Sequence, residues 1–98
     1  MREGAVVLVA LPQADGALKN RPALVLRELP AHGDLLICGI STQLHQCVAD
    51  FDEVLDERQG DFRTSGLLQA SLIRLAFLYA TLRRKILGAI GSVSGERT

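Results

Sequence analysis

The side chains best suited to chemistry on a charged substrate are a few arginines and a pair of adjacent hydroxyls. Arg21 follows Lys19 and Asn20 at the end of a glycine-containing loop and directly precedes Pro22. Arg74 lies between Ile73 and Leu75, and Ser41 and Thr42 are followed by Gln43. A guanidinium stays protonated, and its planar fork can hold two phosphate oxygens. A hydroxyl can donate to such an oxygen while accepting elsewhere. Each residue also has a plainer reading. Arg21 could be an exposed arginine in a surface ion pair, Arg74 a solvated strand residue, and Ser41 and Thr42 strand-end hydroxyls bonded to local backbone. His32 and His45 are the side chains whose ordinary titration range suits proton transfer near neutrality.

Other chemistries find less support. Cys38 and Cys47, with His45 nearby, supply too few ligands for tetrahedral zinc, which takes about four. No metal or other cofactor is expected. Cys38 sits in an apolar run and should be a buried thiol, and Cys47 should be free. The formal net charge is +0 and the pI about 6.7. That is not the basic footprint of a typical nucleic-acid-binding domain, but a local cationic groove would suffice. The residues that could build one are Lys19, Arg21, Arg63, Arg74 and Arg83 to Lys85, with acidic residues concentrated from Asp50 to Glu57. Phe51, Phe62, Phe77 and Tyr79 could stack on bases, although core packing is the simpler role.

The elements that must position these residues come from pattern and punctuation. A chain of 98 residues, 48% apolar and 22% charged, suits one domain with a single core. No apolar run is long enough to span a membrane as a helix. Arg2 and Glu3 precede only a short apolar stretch, so no signal peptide is expected and the location should be cytoplasmic. Residues 5–11 read as a strand covered on both faces and ended by Pro12, Asp15 and Gly16. Residues 22–28 read as a second strand with Pro22 at its first position, and 35–40 as a third. Residues 44–64 read as one exposed strand and a loop through Gly60.

The last third is ambiguous. Leu68, Leu72, Leu75, Tyr79, Leu82 and Ile86 recur at helical spacing, and periodicity alone slightly favours a helix. The competing strand puts Ile73, Leu75 and Phe77 on one face and Arg74 and Ala76 on the other. Gly88 and Gly91 should stop any helix, and Ser94 followed by Glu96 could begin a short terminal one.

Several segments together resemble a known family. Gly4-Ala5-Val6-Val7-Leu8-Val9, Pro12, Asp15-Gly16 and Lys19-Asn20-Arg21-Pro22-Ala23-Leu24-Val25-Leu26 look like the opening of a MazF/PemK-type toxin. Ile40-Ser41-Thr42-Gln43 resembles its second motif. Ser65-Gly66-Leu67 with Ser71-Leu72-Ile73-Arg74-Leu75 resembles its third, and Gly91-Ser92-Val93-Ser94 the segment before its terminal helix. The matches run in the expected order over nearly the whole chain. They imply a mainly β fold, an SH3-like antiparallel barrel of the MazF/PemK/CcdB type with minor helix. The whole chain, 1–98, would be one such domain with a shortened terminal helix. Residues 72–78 would then be strand rather than helix.

The resemblance also implies an activity. Such toxins are homodimeric, metal-independent endoribonucleases that cut single-stranded RNA, and a small antitoxin protein neutralises them. Arg21 matches the family's catalytic arginine, Ser41 its catalytic or phosphate-binding threonine, and Arg74 an arginine used by one branch. Lys19, Thr42 and Gln43 fall where RNA would be held. That branch's acid lies two residues after its arginine, where this chain has Ala76, so no general base is assigned. Regular alternation would place Ala76 on the same face as Arg74. The alternative is a toxin-like barrel without catalysis that binds antitoxin, RNA or gyrase.

Overall fold

The Val-rich segment of residues 5–11 forms strand β1 (Ala5–Pro12) in the computed structural model, which describes residues 3–12, 15–30 and 33–94. It is followed by β2 (Leu18–Glu28), β3 (Leu35–Ser41) and the short β4 (Glu53–Leu55). Helix α1 (Phe62–Ser65) leads to β5 (Ser71–Thr81) and β6 (Ile86–Ser92). All strand pairings are antiparallel, in one six-stranded sheet ordered β4-β5-β3-β2-β1-β6. The fold is therefore mainly β with a minor helix.

Alternation along the strands sorts the apolar residues onto two faces, and both are buried. Val6, Leu24, Cys38, Ile40, Leu55, Ile73 and Val93 form one cluster. Val7, Val9, Leu11, Ala23, Val25, Leu35 and Ile37 form the other. Double-sided cover explains why β1 carries apolar side chains in both alternating sets.

Helix α1 follows edge strand β4 in the chain and packs on the opposite edge strand, β6. Thr64 Oγ1 donates to the Ser92 carbonyl at 3.0 Å, and the Ser94 N–H donates to the Asp61 carboxylate at 3.1 Å. Two glycines permit the approach. Gly66 ends α1 at φ +79°, and a Cβ there would overlap the Ile90 carbonyl; one on Gly91 would overlap the Thr64 and Ser65 backbone. Phe62 and Leu67, on either side of this junction, pack against the first cluster.

Residues 71–81 are a strand, as the resemblance implies for residues 72–78 and against the helical spacing of their apolar residues. They pair with β3 on one side and β4 on the other, and these ladders outweigh local periodicity. Residues 86–92 are also a strand, paired with β1 and not anticipated from Gly88 and Gly91. Pro22 lies inside β2 rather than at its start. It pairs with Leu8, while β3 reaches along β2 only as far as Ala23, so on that side no ladder partner misses its N–H. In residues 44–64 the structure has a 3₁₀ turn at Leu44–Gln46, β4 and α1. The expected terminal helix beyond Ser94 lies outside the described residues.

Candidate functional site

β2 and β3 separate beyond the Ala23–Gly39 pair, and the gap between their ends is where the chemistry-bearing residues meet. Arg21 stands on β2 opposite Val9. Ser41 ends β3 opposite Leu72, and Arg74 on β5 pairs with Gly39. The pleat has period two, so Arg21 shares a face with Ala23, and Ser41 shares a face with Gly39 and Ile37. Arg21, Ser41 and Arg74 thus lie on the face of the second apolar cluster, at its polar end. They line a cleft of about 400 Å³, together with Thr42, Gln43 and Gln46. Leu11 and Phe77, both belonging to that second cluster, complete its apolar wall.

Phe77 reaches the cleft through an irregularity that the sequence does not announce. Cys38 pairs with Leu78 while the next residue, Gly39, pairs with Arg74, so residues 75–77 form a bulge in β5. Three extra residues invert the alternation. Leu75 remains with Ile73 against the first cluster, but Phe77 packs against the second. This corrects the expectation that Ile73, Leu75 and Phe77 share one face. The Phe77 ring covers Gly39, with its Cδ1 3.2 Å from where a Gly39 Cβ would stand. The Arg74 guanidinium carbon lies 5.8 Å from the centre of the same ring.

The bulge is held from outside by Asp52. Its Oδ1 accepts the Ala76 N–H and its Oδ2 accepts the Val48 N–H, each at 3.0 Å. Position 76 therefore has a carboxylate beside it, supplied by a different segment, but both oxygens are engaged with backbone donors and Asp52 does not line the cleft. Ala76 does not line it either; Phe77 is the residue that follows Arg74 into it. Among the described residues, no carboxylate or imidazole lines this cleft.

Two features bear on what the cleft can do. Ser41 Oγ accepts the Gln43 N–H at 3.1 Å, which orients the hydroxyl and leaves its own proton available to a substrate oxygen. Arg74 Nε is buried and has no hydrogen-bond partner among the described residues. A buried donor without a partner is costly. Arg21 is exposed at the mouth.

A second cavity, of about 390 Å³, lies across the same wall and shares Arg21, Ile40, Ser41 and Thr42 with the first. Leu8, Pro22, Leu67 and Leu68 give it a more apolar character.

Not every candidate joins the site. Lys19 is exposed two residues before Arg21 and opposite Leu11, outside the cleft lining. Arg83 pairs with Glu28, and Arg63 belongs to α1, so the basic residues do not form one patch. His45 is exposed in the 3₁₀ turn without lining the cleft, and His32 lies outside the described residues. Phe51 is 60% exposed and away from the cleft. Cys38 is fully buried, and burial pushes its thiol pKa from 9.0 up to about 12; Cys47 is exposed and free. Gln46 and Phe77, like Leu11 and Gly39, line the cleft without belonging to a matched motif. A glutamine three residues after Gln43 was the available signal for Gln46, and nothing local signals the bulge that admits Phe77.

Comparison of the chain with protein-family models gives no match, and neither does comparison with curated proteins. Among the described residues, no helix is long and apolar enough to cross a membrane.

Proposed function

We propose that this chain is a cytoplasmic, metal-independent endoribonuclease toxin of the MazF/PemK type that cuts single-stranded RNA at the Arg21–Ser41–Arg74 cleft. One observation carries the reading. Three residues that the resemblance singles out, on three different strands, line the same cleft. On this view the sheet is an SH3-like barrel with α1 packed on edge strand β6.

The ribose 2′-oxygen attacks the adjacent phosphorus, and the bond to the leaving 5′-oxygen breaks. The products are a 2′,3′-cyclic phosphate and a 5′-hydroxyl. Charge accumulates on the phosphate oxygens in the transition state, where fixed donors lower the barrier most. Arg21 and Arg74 supply two guanidinium forks from β2 and β5, and the Ser41 hydroxyl adds a donor from β3, which lies between them. The proton of the attacking hydroxyl passes to solvent or to a group of the RNA, and solvent supplies one to the leaving 5′-oxygen, because no carboxylate or imidazole lines the cleft among the described residues. Cleavage is then slower than with a positioned base, which typically contributes about 10²–10⁴-fold.

A homodimer is part of the same proposal. Leu68 is 98% exposed, Leu87 59% and Ile90 37%, on β6 and the loop packed beside it. A two-fold pairing would cover these groups. The inhibitor would be a small antitoxin whose acidic segment competes with RNA for the arginines. The missing carboxylate and imidazole in the cleft favour one second reading, a toxin-like barrel that binds RNA, antitoxin or gyrase without cutting.

Product analysis separates the two readings. The purified protein is incubated with a long single-stranded RNA and its ends are mapped. Cyclic phosphate and 5′-hydroxyl ends, with sites protected by a 2′-deoxy substitution, support the nuclease. RNA bound but intact supports the binding module.

A further inference from the structure

We propose that the cleft beside Arg21 and Ser41 seats one nucleobase next to the cleaved phosphate, and that Gln46 together with Gln43 reads that base's hydrogen-bonding edge. The inference rests on the ribonuclease reading and adds to it the origin of sequence preference.

Gln43 and Gln46 bracket the 3₁₀ turn Leu44–Gln46, with Gln43 as the residue that caps it and Gln46 as its last member. A 3₁₀ turn repeats every three residues, so side chains at i and i+3 eclipse one another. The two amides are therefore carried to the same side, and both line the cleft. The backbone that carries them is tied down. Gln43 donates its N–H to Ser41 Oγ at 3.1 Å, and Gln46 donates its N–H to the Gln43 carbonyl at 3.0 Å. The reading groups are thus linked through hydrogen bonds to the hydroxyl assigned to the phosphate.

The chemistry of the two side chains fits a base. Each carboxamide presents an acceptor and a donor side by side, the complement of the paired donors and acceptors along a Watson–Crick or Hoogsteen edge. Neither amide makes a hydrogen bond to the protein among the described residues, so both are available to a ligand. Phe77 also lines the cleft and offers an aromatic side chain against which a base can lie. A volume of about 400 Å³ is near the lower end for small-ligand sites, enough for one nucleoside rather than a stretch of strand. The cavity across the Arg21–Ser41 wall is more apolar, so the two sides of the cleaved phosphate meet different surfaces.

The consequence is a preference concentrated at one nucleotide position beside the cut and set by the glutamines. The test uses the full-length protein and a pool of single-stranded RNA with randomised sequence, the cut ends being sequenced for wild type, Gln43→Leu and Gln46→Leu. Both glutamines are exposed, and thermal melting verifies that the variants fold. Binding of an RNA blocked by a 2′-deoxy group at the favoured cut site gives a second readout that does not depend on turnover. The expected result is a wild-type preference at one flanking position that Gln46→Leu flattens by roughly five- to a hundredfold. Cutting of the least favoured sequences should change little, and affinity for the blocked favoured RNA should fall in parallel. Unchanged profiles in both variants, with cutting intact, overturn this inference and leave the nuclease reading standing. RNA that the wild type binds but does not cut overturns both.

Discussion

Replacing Arg74 by methionine should stabilise the protein while removing its activity. Arg74 Nε is buried without a hydrogen-bond partner among the described residues. A buried, unsatisfied donor costs about 1–3 kcal/mol. Methionine is similar in length, fills the same irregular space and carries no donor. What the substitution loses is the contact of the guanidinium with the Phe77 ring, at 5.8 Å near the outer limit for a cation–π pair and worth ~0.5 kcal/mol. The difference is a net gain of roughly 0.5–2.5 kcal/mol. In a domain of this size each kcal/mol moves Tm by about 4–8 °C, so the variant should melt several degrees higher. Cleavage should fall by about 10²–10³, the usual loss when one fixed donor to a developing anion is removed. Thermal melts with and without inorganic phosphate provide the assay. Phosphate should raise the Tm of wild type, because it binds the native state, and should raise that of Arg74→Met much less. An Arg74→Met protein that melts at or below wild type and still cleaves RNA at the wild-type rate would refute the reasoning.

Three further substitutions probe the framework. Gly91→Ala forces a methyl into the backbone of Thr64 and Ser65, and neither side can yield as a side chain would, so urea unfolding should show a loss of about 2–3 kcal/mol. Cys38 makes stability depend on alkaline pH, because burial raises its folded-state pKa from 9.0 to about 12. Its contribution is fully present below about pH 9. As pH rises towards about 12, the unfolded chain releases a proton that the native state keeps, and stability falls by about 1.4 kcal/mol per pH unit. Urea titrations between about pH 9 and 11 should show a shallower decline in Cys38→Ala. Leu68→Asp, at a position 98% exposed, should leave the melting of the subunit nearly unchanged but give monomer by light scattering if β6 and its neighbouring loop form the dimer face.

Much of the fold is legible where alternation and punctuation agree. Val7, Val9 and Leu11 fall on one face and pack in the second cluster, Val6 packs in the first, and Pro12 ends the strand, as the residues suggest. The harder segment is residues 68–86. Its leucines fall at helical intervals, yet Leu72 and Leu75 lie on opposite faces of β5, Leu78 and Leu82 are exposed, and a bulge interrupts the strand. A one-dimensional pattern cannot distinguish an interrupted strand from a helix, and only pairing with β3 and β4 decides it. The site shows the same division. Arg21, Ser41 and Arg74 are marked by the motifs around them, and their convergence follows from the register of three strands. Phe77 enters only because of the bulge, and Asp52 meets Ala76 across 24 positions of sequence separation, which no local rule contains.

The central claim is that Arg21 acts on the transition state of a metal-free RNA cleavage. The most direct measurement is the single-turnover cleavage rate of one single-stranded RNA, in EDTA, by wild type and by Arg21→Ala shown to be folded. The account predicts cleavage by wild type that is indifferent to EDTA and falls by about 10²–10³ in the variant. Cleavage abolished by EDTA, or proceeding at the same rate without Arg21, would contradict it.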